Sequence, residues 1–245
     1  MFRRYHLLLF LVFISAFEGC KNSDDFFKSA GNPQTIQRPL IDFNAIEIGE
    51  KFLVNITQDT SVPQNITIEY FENLNDKIIA LINNNTLKIT DGNSYNWTRD
   101  LTVRPKVTIN IHTLNDLSIQ GACELICLDT IYTGNLNIDM HSVKPAVIKV
   151  NCGNLYGGSS NLGPISFEGR GTIFSWSCEQ GSWFDAKKLY CDDAYIRHYT
   201  KQDCYVYPEK QFEANIYNSG NLFYKSRTFY KSQINTYGSG KAIPE

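Results

Sequence analysis

The sequence predicts an all-β solenoid with rungs of about 20 residues, a period typical of stacked repeats. Three features carry that prediction. Apolar and polar residues alternate at period two in short segments between Ile46 and Ile111. Apolar-x-apolar pairs then recur at intervals of roughly 20 residues from Leu117 onward, as in a solenoid repeat, and a small or polar turn follows most of them. Alternation puts successive side chains on opposite faces of a strand. One such unit cannot bury its apolar face alone, whereas stacked units share a continuous core. The competing reading is a β-sandwich or barrel with regularly spaced strands.

The chain before Leu40 lies outside this pattern. Arg3 and Arg4 make a positive start, and Ser15, Ala16 and Gly19 are small residues before Cys20. The apolar run from Leu7 to Phe17 is shorter than the roughly 20 residues a membrane-spanning helix needs. This is the layout of a secretory signal over residues 1–19, cut before Cys20, whose thiol is the expected site of lipidation. Phe17-Glu18 departs from the usual Leu-plus-small-residue lipobox and is similar to the looser Bacteroidetes form. Asp24 and Asp25 follow closely, similar to the acidic surface-export signal of such lipoproteins. Each buried CH₂ of an acyl chain contributes about 0.8 kcal/mol, so several chains on one cysteine hold durably. The expected address is the outer membrane, anchored through acylated Cys20 at the cell surface, with the periplasmic leaflet as the alternative. Residues 20–39 are polar and aperiodic, with Gly31 and Pro33, and read as a flexible tether. The domain is expected over 40–245.

Within the domain, Ile46/Ile48, Phe52/Val54/Ile56 and Ile66/Ile68/Tyr70 alternate with polar neighbours as half-buried strands do. Leu74 to Ile82 is the one plausible short helix, with Asn73 or Asn75 as its cap. Leu87 to Thr90 and Val107 to Ile111 are further strands, and Asp91 to Arg104 between them reads as a loop containing Trp97. The repeat then runs through Leu117/Ile119, Leu136/Ile138, Leu155, Ile173-Phe174, Ala194/Ile196, Ala214/Ile216 and Ile234.

The order of these segments resembles a known family. Phe43-Asn44-Ala45-Ile46-Glu47-Ile48 leads to Phe52-Leu53-Val54-Asn55-Ile56-Thr57-Gln58, then to Leu114-Asn115-Asp116-Leu117-Ser118-Ile119-Gln120-Gly121 and a closing Tyr237-Gly238-Ser239-Gly240. Over about residues 40–241 the chain is similar to the "putative auto-transporter adhesin head GIN domain" family of Bacteroidetes lipoproteins. The resemblance implies a right-handed parallel β-helix and an adhesin-like role. The Gly-Ser-Gly turn is intact only at 238–240 and nearly so at Asn218-Ser219-Gly220. It is lost at His141-Ser142-Val143 and Tyr199-Thr200-Lys201.

Candidate chemistry is sparse. Net charge is −2 over the whole chain, and loss of Arg3, Arg4 and Glu18 leaves 21 basic and 24 acidic residues. That balance lacks the basic field nucleic acid requires. Cys123, Cys127, Cys152, Cys178, Cys191 and Cys204 follow Cys20; six cysteines permit fifteen pairings, and buried free thiols are the simplest state. No tight cysteine pairs suggest zinc, and no nucleophile elbow, HExxH or phosphate loop suggests catalysis or a cofactor. Asp192-Asp193 near Arg197 and His198 is an acid–base grouping of the kind polysaccharide-active β-helices use, though such groups are usually solvated turns. Fifteen aromatics crowd the chain from Trp176 to Tyr237. They suit either a thick core or a surface for sugars or protein partners. Asn55-Ile56-Thr57, Asn65-Ile66-Thr67 and Asn96-Trp97-Thr98 fit a eukaryotic glycosylation pattern that the lipobox argues against. Asp129-Thr130-Ile131 resembles a Bacteroidetes O-glycosylation pattern. The sequence is best read as a non-catalytic, lipid-anchored binding module. A polysaccharide-active β-helix enzyme and a periplasmic envelope-signalling accessory factor are the alternatives.

Overall fold

Alternation is converted directly into burial. In β4 (Asn65–Phe71), Ile66, Ile68 and Tyr70 point inward while Asn65, Thr67 and Glu69 stay half-exposed. The same holds in β2 (Ala45–Ile48) and β3 (Leu53–Gln58), and in β7 (Lys106–Ile111) as far as Ile109, after which the polar Asn110 is buried too. The computed structural model describes residues 29–49, 51–93, 103–225 and 229–245, and their regular structure is almost wholly strand. The other strands are β1 (Pro33–Pro39), β5 (Ile78–Asn83), β6 (Thr86–Asp91), β8 (Asp116–Gly121), β9 (Glu124–Cys127) and β10 (Ile131–Ser142). They continue as β11 (Ala146–Ser159), β12 (Pro164–Cys178), β13 (Trp183–His198), β14 (Cys204–Ile216), β15 (Leu222–Tyr224), β16 (Lys231–Thr236) and β17 (Ala242–Pro244).

These strands form a parallel β-solenoid. One ladder runs β6·β2·β8·β10·β11·β12·β13·β14·β16, all parallel. A second runs β7·β3·β9·β11·β12·β13·β14·β15·β17. The long strands β11 to β14 pass through both. Inward positions therefore stack in columns: Leu117, Ile138, Gly157, Trp176, Ile196, Ala214 and Ile234 are successive partners, each one repeat further along the chain. Each fully buried Ile or Leu in such a column contributes on the order of 1.5–3 kcal/mol relative to exposure. Gly157 interrupts the column opposite Trp176, the bulkiest buried residue. Its φ is +148°, and a Cβ there would collide with the Ile138 carbonyl, so only glycine fits.

Four expectations change. Residues 33–39 of the expected tether form β1, antiparallel to β4, because Ile36 can lie against the core beside Ile68. The helix expected over 74–82 shrinks to α1 (Glu72–Asn75), which follows Phe71 without any side-chain cap. Ile78 to Asn83 instead pairs with β6 through a hairpin whose loop residues Asn84 and Asn85 have φ of 48° and 61°, the positive-φ turn that tight hairpins favour. The repeat also shifts phase: Leu117 and Ile119 stack on Ile138 and Met140, not on Leu136 and Ile138. In β12 the inward pair is Phe174 and Trp176 rather than Ile173 and Phe174. Most of the expected loop at 91–104, with Trp97, lies outside the described residues.

Candidate binding face

The aromatic-rich end of the chain divides cleanly. Trp176, Phe167, Phe174, Phe184 and Phe212 fill the interior, with Phe167 edge-on to Phe174 and Trp176 at 5.1 and 4.9 Å. A different set lies outside. Tyr199, Tyr217 and Tyr237 each come immediately after the strand that ends a rung of the first ladder. Their backbone N–H groups donate to the carbonyls of Cys178, His198 and Ile216, which locks the three in register. The rings consequently stack at 4.3 and 4.9 Å, within 7° and 9° of parallel. They are 38%, 40% and 65% exposed. A hydrogen bond with Tyr199 holds the Tyr217 hydroxyl above its ordinary range.

Stacking consumes the inner ring faces, so the ends of the stack matter. The rung before Tyr199 carries Glu179 at the equivalent place, its N–H bonded to the Ser159 carbonyl. Glu179 leans sideways, accepting from Ser177 Oγ at 3.2 Å. This leaves a recess of about 330 Å³ lined by Ser177, Glu179, Gln180, Arg197 and Tyr199. Arg197 faces solvent, and no ion pair or hydrogen bond engages it among the described residues. A smaller depression of about 200 Å³ continues across the same face past Tyr195, Glu213 and Asn215. There Lys231 and Gln211 donate to Glu213 and keep its carboxyl below the usual range.

The second ladder carries its own outer pair, Tyr205 and Phe223, stacked at 5.0 Å. Its free end is taken: Lys187 Nζ sits 4.2 Å from the Tyr205 ring centre, a cation–π contact. The Tyr199 end has no such cover among the described residues.

The acid–base grouping around residue 192 does not assemble. His198 shares the inward face of Ile196 and is fully buried, with Nε2 against the Gln202 carbonyl at 3.0 Å. Arg197 points outward, and Lys210 engages Asp192 at 2.8 Å. Among the described residues, no three His, Cys, Asp or Glu side chains converge as metal ligands would. All six later cysteines are buried and unlinked. Cys20, Asp24, Asp25 and Asn96 lie outside the described residues. Among the described residues, no helix is long and apolar enough to cross a membrane. Glu179 and Ser177 carried no recognisable motif and Arg197 drew notice only in the acid–base grouping, but the spacing of Tyr199, Tyr217 and Tyr237 at one rung apiece is readable from the period.

The parallel β-solenoid thus carries a surface aromatic stack beside a polar recess. The chain belongs to the family described as "Putative auto-transporter adhesin, head GIN domain", matched over residues 42–228. Its fold is shared with a crystal structure described as a putative adhesin from Bacteroides fragilis. The two are 21% identical with a TM-score of 0.81, over 87% of this chain and 97% of that one. A putative adhesin from Parabacteroides distasonis matches at 14% identity and TM-score 0.70, over 88% and 98% of the two chains. A protein from the same organism described as a putative lipid binding protein matches at 18% and 0.63, over 87% and 97%. No curated protein matches.

Proposed function

We propose that this chain is a non-catalytic, lipid-anchored module of the cell envelope that binds saccharides through the recess at Tyr199. One observation carries the reading: the tyrosine stack ends at Tyr199, which lines a recess with Arg197, whose guanidinium makes no ion pair or hydrogen bond among the described residues. The C–H face of a sugar ring lies on such a ring, while a fork of N–H donors and a carboxylate bind its hydroxyls. Arg197 supplies the fork and Glu179 the acceptor. Family membership and the adhesin names of similar structures support a binding role. Acylated Cys20 would tie the module to the bilayer, and Asp24-Asp25 would send it to the surface; a periplasmic accessory factor would differ mainly in the leaflet. The polysaccharide-active alternative needs carboxylates and a base on one face. The ion pair at Asp192 and the inward turn of His198 weigh against it.

A glycan array probed with the purified chain tests the proposal. Binding to a defined set of saccharides is expected, with Tyr199→Ala and Arg197→Ala each weakening it about tenfold or more, a loss of roughly 1.4 kcal/mol. Tyr190→Ala, at an exposed tyrosine elsewhere, should bind as the wild type does. An array without signal, or equal binding by all variants, would overturn the reading.

A further inference from the structure

The six cysteines of the described region are not equivalent. Burial pushes the thiols of Cys123, Cys127 and Cys191 up to about 12 and that of Cys152 to about 11. None of these four approaches another sulfur among the described residues. The remaining two meet. Cys178 ends β12 on the first ladder and Cys204 opens β14 on the second, both facing inward at a corner. The turn after Cys178 brings the chain to Phe184, beside which Cys204 lies one rung on. Their Sγ atoms are 3.8 Å apart, with the Cys204 thiol donating to Cys178.

The surroundings distinguish the two sulfurs in the folded chain. Cys178 Sγ also contacts the Ser182 hydroxyl at 3.2 Å, receives the Ser159 hydroxyl at 3.6 Å and donates to the Ser182 carbonyl at 3.2 Å. Donors around a sulfur favour its thiolate, and the hydrogen bond from Cys204, first among them, draws the Cys178 thiol below its ordinary value. Burial, with the bond it donates to Cys178, holds Cys204 well above its own.

We propose that Cys178 and Cys204 are a redox pair that closes into a disulfide across the corner of the solenoid, while Cys123, Cys127, Cys152 and Cys191 remain thiols. The co-reactant is a disulfide carried by an extracytoplasmic thiol–disulfide oxidase or a glutathione-type donor. The thiolate of one of the two cysteines attacks one donor sulfur, forming a mixed disulfide and releasing the other donor sulfur as a thiolate. The second cysteine then loses its proton and attacks the chain sulfur of the mixed disulfide, expelling the donor sulfur still bound to it. One donor disulfide becomes two thiols, which take the two protons, and two chain thiols become one disulfide. Both sulfurs are buried in the folded chain, so exchange belongs to the stage before the corner closes. The turns that the bond would tie together begin with Glu179 and Tyr199, two walls of the recess. Oxidation in the cell rests on the exported address proposed above; the pairing itself does not.

Thiol trapping tests this on the protein extracted from its own cells. Alkylation in denaturant, before and after reduction, is followed by digestion and mass spectrometry. Before reduction, four of the six cysteines should be labelled, with Cys178 and Cys204 recovered as one linked peptide pair. The same chain refolded from denaturant in a glutathione buffer should form the same link. Linkage in the buffer but not in cell extracts would sustain the pair and sink the exported address. Absence of the link in both, or linkage of any other two cysteines, would overturn the proposal.

Discussion

His198 is a titratable group placed where water cannot reach it. The ring takes its place in an inward column between Cys178 and Ile216, and its Nδ1 has no hydrogen-bond partner among the described residues. Burial disfavours the charged imidazolium and lowers the pKa below the ordinary 6.5, as desolvation does for a base. The unfolded chain therefore binds a proton near pH 6.5 while the folded chain resists until lower pH. The associated stability is fully present above 6.5 and is lost as pH falls through the lowered value. His198→Gln keeps a donor for the Gln202 carbonyl and removes the titration. The Tm advantage of wild type over this variant should shrink as pH drops from 7.5 to 5; a constant gap would show that His198 does not titrate in folding.

At the scale of the element, the unit of stability is the column. Ile138 is fully buried between Leu117 on one rung and Gly157 on the next. Removing its side chain leaves a void bounded by fixed rungs, so Ile138→Ala should cost about 2–5 kcal/mol. Asn137, next along the same strand, is exposed and bonds Asp116 only at 3.4 Å; Asn137→Ala should cost within about 0.5 kcal/mol. Urea denaturation of the two variants measures the contrast, and similar midpoints would mean that the stacking does not carry the stability. The helix expected over 74–82 failed at this same scale. Ile78-Ile79-Ala80-Leu81-Ile82 satisfies helical and extended patterns alike, an ambiguity short apolar runs share. The Asn84-Asn85 turn settles it by folding the segment back onto β6.

The solenoid as a whole has two unlike ends. At the N-terminal side, β5 pairs antiparallel with β6, while β1 and β4 pair antiparallel beyond β7, closing both ladders. At the other end the last rung is thinner, with Ile234 37% exposed. The proposed anchor precedes the closed end, so the recess at Tyr199 would be carried in the later rungs, away from the bilayer. The short apolar segment ending at Cys20 motivates a test of that address. Cys20→Ser should abolish incorporation of a fatty-acid probe and leave an unprocessed precursor; equal labelling of wild type and variant would refute the anchor. In intact cells the wild type should be accessible to protease, and replacement of Asp24 and Asp25 by Ala should reduce that accessibility. Complete protection of the wild type would refute surface exposure.

Spacing along the chain points to stacked rungs from Leu114 to Gly240, because each rung there follows its neighbour directly and the period survives as sequence, but it leaves the phase of the stacked pairs open. Alternation likewise suffices to say which residues face inward in β2, β3 and β4, since it depends only on local geometry. Rung order in the earlier part of the chain, up to Ile111, was beyond such reasoning. There β2 lies between β6 and β8, neither of them its neighbour in the chain, because the chain leaves the stack through β4 and β5 and returns. Folding in three dimensions also sorted the aromatics: the same residue type is core at one position and surface at the next, depending on which side of the wall its strand presents. It likewise brought Cys178 to Cys204, whereas the strand period alone already set His198 on the face of Ile196, opposite Arg197. A fold that stacks its rungs turns distance along the chain into height, and only the wound molecule shows which side chains then share a corner.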